Sequence, residues 1–282
     1  MSELTSPELV ARPGVYGKLS SHGDFVLRRL PQAFVMPWDT WLQEGIAQSR
    51  ASLGVAWEES YRAAPVWRFV LAPGACGESA WAGVLQPSID RVGRYFPLTV
   101  AMQVPSNINV IETMLVAEGW FTNVEGRMAD AFAPDVQFEA MDARIEQLVF
   151  PSYLLAPKAI SEDTLPMDLR GFSEFKFSLD EQVTVEKIRD MFSQQKLATG
   201  PSDCVWWSHG TAGQESVILI TKTLPAAPRF CALLDGKWQI HGWEVARSSG
   251  GGLTESSDQV GRYLPEPTGD QANASEILQR GV

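Results

Sequence analysis

The sequence predicts an α/β (α+β) protein, with a single compact domain built on a central, mostly antiparallel sheet that helices cover. Two observations predict this class. Short apolar runs separated by short turns, at 67–71 and 81–86, are typical of neighbouring antiparallel strands. Elsewhere, apolar residues recur every three to four positions, which is helical spacing. Strands and helices do not alternate regularly and no Gly-rich loop opens a helix after a strand, so a dinucleotide- or nucleotide-binding fold is not favoured.

The bulk composition limits the possible partners. The chain has 282 residues and is 45% apolar, which is enough for a substantial core. Its formal net charge of -11 and its pI near 4.8 disfavour nucleic acid and anionic membranes, because both require a basic face. Neither a signal peptide nor a run of about 18 apolar residues occurs. We therefore predict a soluble, cytoplasmic protein without direct membrane insertion.

The cysteines and histidines do not predict a metal or a disulfide framework. Cys76, Cys204 and Cys231 are far apart and form no C-x-x-C pair. The three histidines form no H-E-x-x-H or similar ligand pair. We expect reduced thiols, no structural zinc and no cofactor.

The first half of the chain is predicted to supply a helix and three strands. Phe34, Trp38 and Ile46 lie on one face of a helix that follows Pro31. The runs at 67–73, 81–88 and 96–104 are predicted strands. We expect the aromatic residues in these segments to be core rather than a cofactor site. These are Trp38, Trp41, Trp57, Trp67 and Trp81.

Two further helices are predicted before the middle of the chain. One covers 107–133 and ends before Pro134, and a shorter one covers 139–149. Together they carry most of the acidic excess, including Glu118 and Glu125. Such a run is typical of a solvated face.

The second half predicts more strands and a polar tail. The proline-containing segment 151–166 is a possible internal boundary. Strands are predicted at 171–179, 204–210 and 216–222, with helices at 185–197, capped by Thr184, and at 225–234. We accordingly divide the chain into an N-terminal extension (1–13), the main domain (14–247) and a flexible polar tail (248–282).

A polar loop, SSHGD at 20–24, separates two apolar runs near the N-terminus. Gly17 and Gly23 suit backbone conformations that other residues avoid, and Ser21 and Asp24 are common in turns. Ser21, His22 and Asp24 include the residue types of a hydrolase triad. Residues adjacent in one turn cannot easily form that relay, so we interpret this as a well-defined surface loop with a possible role in partner binding.

A second loop presents two arginines. Arg91 and Arg94 flank Gly93, which predicts a turn that displays two guanidinium groups. Such a pair can bind a carboxylate or a phosphate. Alternatively, Arg91 or Arg94 pairs with Asp90 or Asp24 and stabilises the loop. A pair between Arg94 and Asp24 would join the two loops into one surface.

Several long segments resemble one family. They read VYGKLSSHGDFVLRRLP, WDTWLQEGIAQSR, WRFVLAPG, WAGVLQPSIDRVGRYFPLT, CVWWSHG and LPAAPRFCALLDG. From about residue 14 to residue 236, the chain resembles the TagF/ImpM family of accessory proteins of bacterial type VI secretion systems. The resemblance implies a helix-covered sheet and a cytoplasmic, non-enzymatic regulator that represses assembly or firing of the secretion machine after translation. The implied partner is a forkhead-associated scaffold protein of the same system, alongside or apart from a threonine kinase and phosphatase pathway.

The polar residues of the two loops are the candidate partner-binding or loop-organising residues. They are Lys18, Ser21, His22, Asp24, Asp90, Arg91 and Arg94. No catalytic residue is assigned. The alternative hypothesis is a hydrolase or phosphoryl-transfer enzyme that uses the first loop, with the two arginines as an anion clamp. The sequence leaves the oligomeric state open.

A ten-residue segment of the tail repeats the second loop. SIDRVGRYFP at 88–97 reappears as SSDQVGRYLP at 256–265, with seven of ten positions identical. Chance is one explanation, because a chain of this length offers many such pairings. The functional hypothesis is autoregulation, in which the tail imitates the 91–95 element and competes with a partner.

Overall fold

The computed structural model describes residues 11–130, 132, 137–151, 174–179, 203–211 and 214–246. In these ranges nine strands form one sheet. The strands are β1 (Gly14–Gly17), β2 (Val26–Arg28), β3 (Trp67–Leu71), β4 (Ala80–Gln86), β5 (Leu98–Val104), β6 (Glu174–Leu179), β7 (Cys204–Ser208), β8 (Ser216–Thr221) and β9 (Glu244–Ala246).

The sheet has the strand order β2-β1-β5-β4-β3-β7-β8-β6-β9. All of its strand pairs are antiparallel except β6 with β9, which is parallel. The predicted mostly antiparallel sheet is therefore confirmed. β1 pairs with β5 with Gly17 opposite Leu98, so the end of β1 adjoins the start of β5.

Six α-helices occur in the described ranges. They are α1 (Gln32–Leu53), α2 (Trp57–Ala63), α3 (Val110–Val116), α4 (Glu118–Asp130), α5 (Phe138–Glu146) and α6 (Ala227–Asp235). The apolar side chains of α1, α2 and α6 cluster on one face of the sheet, and those of α3, α4 and α5 cluster on the other. Both faces of the sheet are thus covered by helices, as the sequence predicted.

Burial on both faces explains why the central strands are continuous apolar runs rather than alternating ones. In β3, Trp67, Phe69 and Leu71 point to the side of α1, α2 and α6, whereas Val70 belongs to the core under α3, α4 and α5. The five tryptophans predicted to be core are all buried, with exposed fractions of 0 to 7%. That prediction is confirmed.

The predicted single helix over 107–133 is wrong, because it is divided into α3 and α4. Asn109 caps α3 by accepting a hydrogen bond from the Glu112 N–H at 2.9 Å, and α3 ends at Val116, before its C-cap residue Ala117, where ψ is 16°. The chain changes direction at this break. In α4, the Phe121 ring packs against the Trp207 ring in a T-shaped arrangement, with centroids 4.6 Å apart. Periodicity could not locate this break, since apolar residues of both halves face the same core.

Some predictions fall on residues outside the described ranges. These are the possible boundary at 151–166, apart from its first residue, the helix capped by Thr184, and the tail from 248, which includes the repeat at 256–265. Within the described ranges, no helix is both long enough and apolar enough to cross a membrane.

Candidate functional site

Two loops lie side by side at one end of strands β1, β5 and β4. The first loop (18–25) connects β1 to β2, and the second loop (87–97) connects β4 to β5. Because the end of β1 adjoins the start of β5, the two loops emerge side by side. All seven candidate residues from the sequence lie in these loops.

Asp90 is the centre of this site. Its side chain has no solvent exposure, and its Oδ2 accepts hydrogen bonds from Lys18 Nζ and Arg94 Nε, both at 2.7 Å. Its Oδ1 accepts from the backbone N–H groups of Val92 at 3.0 Å and Arg94 at 2.8 Å. One carboxylate therefore fixes the turn of its own loop and binds a lysine from the other loop.

These contacts determine the ionisation of Asp90. Burial alone would raise the pKa of the carboxyl group, but the hydrogen bonds from Lys18 and from the backbone and guanidinium of Arg94 outweigh it. The pKa of Asp90 consequently lies well below its ordinary range. Asp90 is charged in the folded protein at neutral pH, and its hydrogen-bonded oxygens are poorly suited to proton transfer.

Further hydrogen bonds join the two loops. The Arg91 N–H donates to the His22 carbonyl at 3.0 Å, and the Arg94 guanidinium donates to the Gly23 carbonyl. Ser88 Oγ donates to the Lys18 carbonyl at 2.7 Å. The two loops therefore form one hydrogen-bonded unit at this end of the sheet.

The structure distinguishes between the alternatives for the arginines. Arg94 pairs with Asp90, so the loop-stabilising interpretation is confirmed for that pair. The suggested pair between Arg94 and Asp24 is wrong, because Asp24 is exposed and Arg94 instead bonds the backbone of Gly23. The loops do form one surface, as that hypothesis expected, but a carbonyl and not a carboxylate joins them.

Backbone conformation explains one of the two predicted loop glycines. Gly17 has φ of 137°, and a Cβ there would lie 2.1 Å from the Pro97 carbonyl oxygen. Gly23 is not among the residues with positive φ, and a Cβ there would meet only an Arg91 nitrogen at 3.7 Å. The expectation of an unusual conformation is confirmed for Gly17 and wrong for Gly23.

Ser21 and His22 lie together on the surface. Ser21 Oγ is 2.9 Å from His22 Nδ1, and Ser21 is exposed. The edge of the His22 ring packs against Phe138 of α5, with centroids 5.5 Å apart. Among the contacts of the described residues, none joins Asp24 to His22, so a serine–histidine–aspartate relay is not assembled.

The outer surface of the second loop is rich in positive charge. Arg91 to Arg94 are exposed, and in the described part of the chain the Arg91 side chain forms no ion pair. Lys18 and Arg94 share the single negative charge of Asp90, so this trio has a net positive charge. The arrangement can attract an acidic group while its own geometry is held by buried contacts.

Sequence reasoning missed two buried polar groups, of which the first positions this region and the second joins β3 to α4. Tyr61 of α2 is buried, and its hydroxyl donates to the Ser88 carbonyl at 3.1 Å, which anchors the start of the second loop. Arg68 of β3 is also buried, and its guanidinium binds Glu125 at 2.6 Å and Glu118 at 2.7 Å. The side chains of Glu118 and Glu125 remain 43% and 27% exposed, so the acidic face is solvated as predicted, and these two glutamates also pair with a buried arginine. The sequence signal that could have revealed this ion pair is Arg68 itself, the single charged residue in the apolar strand β3.

The fold and the joined loops define a helix-covered α+β protein with a charge-stabilised loop surface. The sequence signature of the TagF N-terminal domain, type VI secretion system-associated, matches residues 14–148. Among solved structures, the crystal structure of PA0076 from Pseudomonas aeruginosa PAO1 is 37% identical in sequence, with a TM-score of 0.62. That match covers 80% of this chain and 94% of PA0076. No protein of curated function matches the chain.

The chain belongs to the TagF family and is a type VI secretion system-associated protein. The family resemblance inferred from the sequence is thereby confirmed.

Proposed function

We propose that this protein is a cytoplasmic, non-enzymatic repressor of type VI secretion that acts after translation by binding a forkhead-associated scaffold protein of the system. The supporting observation is the joined pair of loops. Asp90 is buried and bonded by Lys18 and Arg94, while Arg91 and Arg94 are exposed on the same turn. A surface that is already ordered before binding loses little conformational entropy when a partner docks.

The polar residues of the loops are arranged for structure and contact rather than for a reaction. Lys18 and Asp90 bond each other in the interior, so neither is free to attack a substrate. Arg94 is partly committed to Asp90 and to the Gly23 carbonyl. Arg91 is the residue best placed to contact a partner directly.

A binding measurement with the purified full chain and the purified scaffold tests the proposal. We expect a complex at micromolar concentration or tighter, and we expect Arg91→Glu to weaken it by about tenfold, because it reverses an exposed charge at the interface. Lys237→Glu is the matched control, since Lys237 is also exposed but belongs to another loop. Failure of the wild-type pair to bind at micromolar concentration overturns the proposal.

A secretion assay in cells supplies the functional half of the test. Excess wild-type protein is expected to lower export of a type VI substrate without changing the amounts of secretion-system proteins. Excess Arg91→Glu is expected to repress less than the Lys237→Glu control. Repression that is accompanied by loss of those proteins would instead indicate an effect on expression.

In the described part of the chain, the contact between Ser21 and His22 is the observation that favours a hydrolase. Under the binding proposal, the purified chain has no esterase or phosphatase turnover that Ser21→Ala removes. A measurable turnover that disappears in Ser21→Ala or in the double variant Asp24→Asn and Arg94→Gln, with folding intact, would establish the enzymatic alternative.

A further inference from the structure

The outer edge of β2 is open in the described part of the chain. β2 stands at one end of the strand order, and β1 is its single partner. An edge strand has unpaired backbone N–H and C=O groups that another extended segment can bind. The short β2 is therefore a possible attachment point for a tenth strand.

Apolar side chains flank this edge on one face of the sheet. Leu27 lies opposite Tyr16 in the β1–β2 register, and the Phe25 ring stacks on the Tyr16 ring with centroids 5.7 Å apart. Phe25 is 46% exposed and Leu27 is 36% exposed. Residues directly opposite in an antiparallel pair share a face, so both side chains lie on the side of α1.

Helix α1 reaches this region without covering it. The Tyr16 hydroxyl donates to Asp39 Oδ1 of α1 at 2.5 Å, which holds the helix against β1. Met36 lies three positions before Asp39, hence on the same side of the helix, and is 66% exposed. We name these three exposed apolar side chains, Phe25, Leu27 and Met36, together with the open strand, the β2 edge surface.

The charges next to the β2 edge surface favour one kind of occupant. Lys18 Nζ lies 4.5 Å from the centre of the Phe25 ring, and Lys18 belongs to the net positive trio around Asp90. Arg91 adds a further exposed positive charge, so the two loops keep a net positive charge even when the exposed Asp24 beside Phe25 is counted. A second copy of this chain would bring like charges together at this edge, whereas an acidic segment would be attracted.

We propose that β2 binds an extended segment of the partner that carries both apolar and acidic side chains. The segment adds to the outer edge of β2 as a strand, places its apolar residues on Phe25, Leu27 and Met36, and directs a carboxylate towards Arg91. This inference rests on the proposed function, in which the chain acts by binding a partner, and it specifies where and through what chemistry that partner binds.

The test uses the full-length chain and the purified forkhead-associated scaffold. Leu27→Asp puts a negative charge in the middle of the β2 edge surface and is expected to weaken binding by about tenfold or more. Ile240→Asp is the matched control, because Ile240 is an exposed apolar residue of a different loop. We expect this control to bind like the wild type, and thermal melting establishes that both variants fold.

Hydrogen exchange on the wild-type complex provides a measurement that does not depend on any variant. Peptides that contain 25–29 are expected to exchange more slowly in the complex, since backbone groups of β2 become paired. If Leu27→Asp binds like the wild type, or if β2 gains no protection in the complex, the edge assignment is overturned while the proposed function stands. If the wild-type chain does not bind the scaffold, both are overturned.

Discussion

Lys18 Nζ donates a 2.7 Å hydrogen bond to Asp90 Oδ2 across a separation of 72 residues. Both side chains are buried, so water contributes little to the solvation of either charge. The bond joins the loop after β1 to the loop before β5. The shape of the candidate binding surface therefore depends on an ion pair that does not itself reach the surface.

Removing the charge of Asp90 should destabilise the protein strongly. Asp90→Asn leaves Lys18 buried without a carboxylate, and breaking a buried pair in this way costs about 3 kcal/mol of unfolding free energy. Urea unfolding of the variant and the wild type measures the loss. Asp24→Asn is the control, since Asp24 is exposed and its replacement should change stability by less than about 0.5 kcal/mol. Equal stability of the two variants would contradict a structural role for Asp90.

The contribution of Asp90 should also disappear in acid. Its pKa is lowered in the folded state, so its stabilising effect is fully present above the unfolded pKa of about 4 and declines as the pH falls towards the folded value. The stability difference between the wild type and Asp90→Asn should therefore narrow by up to about 1.4 kcal/mol per pH unit below pH 4. Urea unfolding from pH 6 to pH 3 measures it, and a constant difference over that range would show that the pKa is not lowered.

Gly17 at the end of β1 and Gly23 of the first loop should respond differently to substitution. Gly17→Ala is expected to cost about 3 kcal/mol, because φ at Gly17 is 137° and the new Cβ would overlap the Pro97 carbonyl oxygen. Gly23→Ala should change stability by less than about 0.5 kcal/mol, since its Cβ would make only an ordinary contact at 3.7 Å. Chemical unfolding of the matched pair tests this, and a costly Gly23→Ala would mean that the first loop is more constrained than its contacts indicate.

Trp67→Ala should unfold or nearly unfold the domain. Trp67 is 3% exposed, and its Nε1 donates to the Leu233 carbonyl of α6 at 3.0 Å. Loss of so large a buried side chain costs about 3 to 5 kcal/mol, which is a large part of the stability of a typical domain. Circular dichroism during thermal unfolding measures the effect, with the fully exposed Val55→Ala as the control. A Trp67→Ala protein that stays stable and loses only partner binding would place this tryptophan at an interface.

The sequence by itself determined the elements and their class. Helix α1 was predictable from Phe34, Trp38 and Ile46, because residues three to four positions apart share a helix face whatever the rest of the chain does. β3, β4 and β5 were predictable because continuous apolar runs bounded by turns suit strands that are buried on both faces. Long tryptophan-rich segments also identified the family, while the division between α3 and α4 was hidden because apolar spacing continues through it.

Only the tertiary structure decided how the charged residues are paired. Asp24 and Asp90 were both available to Arg94, and local sequence could not choose between them. The pairing of β1 with β5 determines which aspartate is used, because this pairing brings Lys18 to Asp90 and leaves Asp24 at the surface. The ion pairs of Arg68 with Glu118 and Glu125 also depend on tertiary structure, because they form only when α4 lies close to β3. Spacing along the chain predicts contacts within one element, whereas contacts across 50 or more residues depend on the register of the sheet and on the packing of helices against it.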